Sequence, residues 1–235
     1  MNLSDVMAEL ESLGSAQTRK IYSKHGADEA MFGVKVADLK KVAKKIKGQQ
    51  GLAYELFDTQ NIDAMYLAGI VADGSEMPRK QLEHWAKLAC WHMIYSYSVP
   101  GVAAESPFAR PLALKWIKSR KENISSCGWA TYSGLISITE DAHLDLDEIR
   151  TLLKMVEDHI NTAPGRTRYN MNGFVISVGT YVKPLLKAAK STAKRIGEVQ
   201  VDMGDTSCKV PFAPDYIAKV EAMDRVGKKR KTAKC

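Results

Sequence analysis

The sequence predicts an all-α protein built as a stack of antiparallel helical pairs, an α-solenoid, and three observations carry that reading. Segments with apolar residues at helical spacing follow one another along nearly the whole chain. The turns between them are short and marked by Gly, Pro or a capping side chain. Strand signals are weak, with no Asn-Gly or Asp-Gly hairpin between alternating apolar runs. Pairs spaced roughly forty residues apart fit stacked helical repeats, although no residue signature recurs at that period.

Each element has its own warrant. Ser4 is a good N-cap ahead of Val6, Met7, Leu10 and Leu13, and Gly14 closes that helix. A second helix, "AQTRKIYSKHG", ends at Gly26. In the third, Val36, Leu39, Ala43 and Ile46 share one face with Val42 at its edge, while Lys40, Lys41, Lys44 and Lys45 lie beside it and around the other side. "LAYELF" and "IDAMYLAGIVAD" follow. Pro78 suits the first turn of a helix running through Trp85. Pro107 opens another, in which Pro111 is tolerable only within the first turn.

Four more helical segments cover residues 123–197, and Gly179 within one of them permits close helix packing. The stretch from Gly197 to Phe212 alternates briefly and reads as extended. A last helix begins at Ala213. The predicted organisation is one helical-repeat domain over 1–224 and a basic, disordered tail over 225–235.

Composition narrows the function classes. The four cysteines, Cys90, Cys127, Cys208 and Cys235, show no CxxC spacing, which argues against a disulfide framework or structural zinc and predicts thiols in a cytoplasmic protein. The N-terminus lacks the pattern of a secretory signal, and no run approaches the ~18 apolar residues that span a bilayer. The histidines show no HxxxH or HxH spacing, and there is no P-loop, GxSxG or GxGxxG. No metal, cofactor or membrane partner is expected, and a monomer is.

The net charge is +7. Six positive charges and no negative one fall in 225–235, "RVGKKRKTAKC". The rest is zoned: nine bases against three acids from Gln17 to Gln50, five acids and no base from Gly51 to Pro78, five bases and no acid from Lys183 to Arg195. Such zoning suits an anionic polymer, and equally describes solvated helix faces. The tail reads as a nuclear signal in a eukaryote or a DNA-attracting segment in a bacterium.

"MFGVKVADLKKVAKKIK", Met31 to Lys47, resembles the stretch near the start of the AlkD-like DNA alkylation-repair family, where Gly-Val-x-x-x-x-Leu-Lys/Arg opens the second helical repeat. The order of later segments is similar too, around Trp91, then "ALKWIKSRKENISSCGWATYS", then "RYNMNGFVISVGTYV". The resemblance spans roughly Met1 to Ala193. It implies a HEAT-like superhelix whose concave, basic groove holds duplex DNA, and hydrolysis of the N-glycosidic bond of cationic alkylpurines.

The family's Trp-Asp-x-x-Asp pattern falls on Trp91-His92-Met93-Ile94-Tyr95, so Tyr95 stands where the resemblance places the catalytic carboxylate. No acid occurs between Glu83 and Glu105. The family's Trp-x-x-Arg falls on Trp129 and Tyr132, and a third aromatic position falls near Ile176. A neutral phenol does not supply the negative charge that a developing oxocarbenium ion needs. No catalytic residue is therefore assigned from the sequence; Glu105 and Glu122 are acids that folding could bring in.

Trp91, Tyr95, Trp129 and Tyr132 are the candidates for contact with a lesion or distorted step, since flat faces stack on bases or sugars. Trp91, Ile94 and Tyr95 at i, i+3 and i+4 equally describe a buried seam, and for Trp85 and Trp116 the core is the better reading. Phosphate candidates are Arg166, Arg168, Asn170 and Asn172 at a helix start, where backbone N–H groups favour anions. To them are added the stripe Lys183, Lys187, Lys190, Lys194 with Arg195, and the stripe Lys40, Lys44, Lys47. The predicted partner is damaged or distorted duplex DNA. The alternative is a non-enzymatic scaffold that binds structured DNA or an acidic protein.

Overall fold

The computed structural model describes residues 1–28 and 30–234; the Cys235 thiol lies outside them. The helices are α1 (Leu3–Leu13), α2 (Ala16–Lys24), α3 (Val36–Lys45), α4 (Gln50–Asp58), α5 (Ile62–Val71), α6 (Arg79–Leu88), α7 (Val99–Ala104), α8 (Ala109–Ile117), α9 (Glu122–Ile138), α10 (Leu146–His159), α11 (Gly165–Tyr181), α12 (Leu186–Ile196) and α13 (Ala213–Ala222). A π-helical turn, Ile94–Ser98, leads directly into α7. No strand occurs among the described residues. No helix among them is long and apolar enough to cross a membrane.

An inner row runs from α5 through the π turn and α7 to α9, α11 and α13, each packed on the next. Helices α4, α6, α8, α10 and α12 back this row on the other side. The first core gathers Leu10, Leu39, Phe57, Met65, Trp85 and Ile94, and the second gathers Trp129, Tyr132, Phe174, Val178 and Ile217. The α8–α9 pair feeds both: Trp116 and Cys127 belong to the first, Ile117 and Trp129 to the second. As the sequence suggests, Trp85 and Trp116 are core, and Trp85 stacks on Phe57 at 4.0 Å between centroids. A Cβ on Gly179 would lie 2.7 Å from Ile217 Cδ1, which explains the glycine where α11 meets α13.

Several local expectations shift. Asn2, not Ser4, caps α1: its side chain accepts from the Asp5 N–H and the Asp5 carboxylate accepts from the Asn2 N–H, a reciprocal capping box. The π turn has a covalent cause in Pro100, which lacks the N–H that would bond Ser96 and whose ring would crowd that carbonyl. The widened turn bonds the Val99 N–H to Ile94 O instead. Residues 197–212 form no strand; they cross to α2, where Lys24 pairs with Asp205 at 2.8 Å and a Cβ on Gly204 would lie 2.1 Å from Lys24 O.

The basic tail differs most from its sequence reading. Residues 227–234 lie across the carboxy-terminal ends of four inner helices. The Gly227 N–H bonds Thr180 O on α11, and the Arg230 N–H bonds Ser137 O on α9. Glu105, at the end of α7, accepts from the Ala233 N–H at 2.9 Å and from the Thr232 hydroxyl. Lys234 Nζ donates to Ala72 O at the end of α5 at 2.7 Å. Helix ends leave carbonyls unpaired and carry partial negative charge, so a cationic segment is suited to cover them.

Candidate nucleic-acid interface

Two neighbouring concavities meet at Trp91 and His92. The first, about 220 Å³, is lined by Tyr22, Leu39, Tyr66 and Trp91 among others. The second, about 290 Å³, holds His25, Trp91, His92, Tyr95, Glu122 and Arg166, and is bordered by Val201, Asp202 and Gly204 of the 197–212 segment. The Trp91 ring packs between Tyr22, at 5.1 Å, and His92, at 5.0 Å, and its Nε1 donates to His25 O. The indole is thus held in place with most of its surface covered (6% exposed).

The carboxylate that the 91–95 stretch lacks arrives from the next inner helix. Glu122 opens α9, and its Oε1 accepts the Arg166 N–H of α11 at 2.6 Å. The N-terminus of α11 therefore meets a carboxylate from the first turn of α9, in the pocket that Tyr95 lines. Burial, then the Glu122 charge, pushes the Tyr95 phenol up to about 12, so it stays neutral. Burial, then the charge of Arg166, lowers His92 to about 4, and this ring is neutral at pH 7 as well. Its Nε2 is buried with no hydrogen-bond partner among the described residues. Glu122 and Asp202 are the carboxylates that line this pocket with the indole. Glu105 is taken up by the tail.

A larger groove of about 390 Å³ runs over the inner row. Ala130, Ser133, Gly134 and Ser137 present one stripe of α9 to it; Tyr169, Asn170, Gly173, Ile176, Ser177 and Thr180 present one stripe of α11. The Ile176 position, third in the aromatic pattern, thus does face a groove, as an aliphatic residue. Tyr97, Tyr181 and Tyr216 add hydroxyls at its margins, and Arg230 is the sole charged side chain among its described lining residues.

The predicted site residues distribute unevenly over these features. Trp91 and Tyr95 line the pocket. Trp129 and Tyr132 do not: both are buried on the opposite side of α9 against Phe174, and the Tyr132 hydroxyl donates to Glu148 at 2.6 Å. They are packing residues, because the helical period that aligns them with the resemblance turns them toward α10 and α11.

Arg166 lines the pocket, its Nη1 3.6 Å from Met203 Sδ. Arg168 is spent on backbone carbonyls, Ala163 O twice and Gln200 O once, so it secures the 197–212 segment. Asn170 and Asn172 are buried; Asn170 joins Ser96 across the inner row and Asn172 holds Pro211 O. Neither amide nitrogen is left for an external phosphate.

The α12 stripe does not reach the groove. Ala189, Thr192 and Ala193 face inward, which leaves the lysines on the remaining surface. Lys187 and Arg195 border a separate concavity between α10 and α12. Lys190 pairs with Glu221 at 2.7 Å and Arg195 with Glu157 at 2.5 Å; the Lys183 N–H bonds Asp141, and Lys194 is exposed. Lys40, Lys44 and Lys47 are exposed and line none of the concavities described above. Sequence reasoning missed Arg230 and placed Glu122 nowhere. The only signal for Glu122 was its position as an acid in the first turn of a helix.

Among the described residues no group of three or more His, Cys, Asp or Glu is placed to hold a metal ion. Cys127 is a buried thiol and Cys208 an exposed one.

Comparison with known proteins agrees with this architecture. Residues 6–194 match the model of the DNA alkylation repair enzyme family. The protein Lin0241 of Listeria innocua is 34% identical over 217 residues, covering 90% of this chain and 93% of its own. Lmo0209 of Listeria monocytogenes is 33% identical with the same coverage. A solved structure, described as "a new family of proteins related to the HEAT-like repeat DNA glycosylases with affinity for branched DNA structures", superposes with a TM-score of 0.91 at 39% identity over 100% of both chains. The chain belongs to the DNA alkylation repair enzyme family, in its AlkD-like form built of HEAT-like helical repeats.

Proposed function

We propose that this protein binds DNA at a branched or distorted point, with a strand lying along the groove of the inner row and the disturbed step near Trp91. The observation that carries this reading is the floor of that groove. Small side chains on α9 and α11, Ala130, Ser133, Gly134, Gly173 and Ser177, let a sugar–phosphate backbone approach the helices closely without discriminating sequence. The affinity of the 39% identical solved relative for branched DNA supports it.

The test is fluorescence anisotropy with a four-way junction and a linear duplex of equal length. Tighter binding of the junction, with log K falling linearly against log salt, agrees with the proposal. No binding of either DNA at low salt contradicts it and favours the scaffold for an acidic protein.

Glu122 favours base excision as a second reading. A carboxylate lining the same pocket as Trp91 is suited to stabilise positive charge developing on a sugar, an effect worth about 2.7–4 kcal/mol per preorganised group. Release of 7-methylguanine or 3-methyladenine from methylated duplex, lost in Glu122→Gln and in Trp91→Ala, agrees with it. Binding without release excludes it.

A further inference from the structure

The tail that crosses the helix ends also reaches into the groove. We infer that Arg230 is a phosphate-contact residue of this protein, delivered to the groove by the C-terminal strap. The inference rests on the DNA-binding reading and gives that reading a specific residue outside the family match, which ends at residue 194.

The strap is fixed on both sides of Arg230. Before it, Lys229 is buried to 8% side-chain exposure and donates to Tyr181 O at 2.7 Å, Asp141 Oδ1 at 2.8 Å and Ile136 O at 3.1 Å. Gly227 makes the turn into the strap with φ +81°, a conformation that favours glycine. After it, Glu105 and Ala72 hold residues 232–234. The Arg230 N–H to Ser137 O bond sets the residue at the end of α9.

The guanidinium is then placed where the groove has no other charge. Its Nη2 donates to Lys234 O at 3.0 Å, and no carboxylate of the described residues pairs with it. A guanidinium offers five N–H donors in a planar fork that matches two phosphate oxygens. The floor beside it is neutral, with the Ser133 and Ser137 hydroxyls donating to Trp129 O and Gly134 O of their own helix, so it does not neutralise a phosphate. A polyanion lying there therefore finds its counter-charge at Arg230, while Lys228 and Lys231 stand exposed on either side along the same strap.

The test uses the full chain and the junction titrated over a salt series. Arg230→Ala is expected to weaken binding about five- to tenfold and to lower the salt slope by about 0.9, the loss of one phosphate contact. Arg230→Lys should keep the slope. Lys154→Ala, which removes an exposed cation on α10, should change neither. The anchors of the strap remain in all three variants, and thermal melts matching wild type exclude a folding effect. If wild type binds and Arg230→Ala matches Lys154→Ala in affinity and slope, this inference alone is overturned. If wild type binds no junction at low salt, the DNA reading falls and Arg230 with it.

Discussion

The ammonium of Lys229 sits 2.8 Å from the Asp141 carboxylate and also holds the carbonyls that end α9 and α11. Removing it leaves those acceptors unpaired and loosens the strap around residues 228–231, while Glu105 and Ala72 still hold residues 232–234. Hydrogen bonds to charged groups contribute about 1.5–3 kcal/mol each in net terms, and they are not additive in one cluster. Lys229→Met is expected to cost about 2–3 kcal/mol in urea unfolding. It should also make the bonds after Lys228 and Arg230 sensitive to trypsin.

Asp63 joins the first repeats in the same manner. It is buried, and its two oxygens accept the backbone N–H groups of Phe32, Gly33 and Val34 at 2.7, 2.9 and 2.9 Å. An amide replaces one acceptor by a donor facing N–H groups. Asp63→Asn should destabilise the protein by about 2–3 kcal/mol in denaturant unfolding. An unchanged midpoint would refute that role.

His92 gives the protein an acid-side weakness. Its folded pKa, about 4, lies below the ordinary 6.5, because burial and the charges of Arg166 and His25 disfavour the imidazolium. The unfolded chain thus takes the proton first. The neutral ring's contribution is present in full above pH 6.5 and is lost as the pH falls toward 4. Wild type should lose about 1–2 kcal/mol more than His92→Phe between pH 7 and pH 5, measured by urea unfolding.

Trp129 separates packing from contact. Its ring is buried against Phe174 at 5.2 Å, away from the groove. Trp129→Ala should cost about 3–5 kcal/mol of stability. At a temperature where the variant remains folded, its junction affinity should equal that of wild type.

The helices were legible because periodicity and caps are local: the Leu39, Val42 and Ala43 face of α3 is buried as its spacing requires, and Gly179 marks a close packing. The family was legible from the Met31–Lys47 stretch and the segment order. Which neighbour a face meets is not local. Trp129 and Tyr132 share the spacing expected of contact residues yet face α10 and α11, and the α12 lysines meet Glu221 or solvent. Counting charge likewise missed that a cationic tail has four helix ends to cover. Glu122 escaped placement because its partner, the Arg166 N–H, is 44 residues away in sequence.

The most direct measurement is the affinity of the full chain for a four-way junction against an equal-length duplex, titrated by anisotropy across a salt series. The groove on the inner row predicts preferential junction binding with a linear, negative dependence of log K on log salt. Equal, salt-insensitive or absent binding of the two DNAs would contradict it.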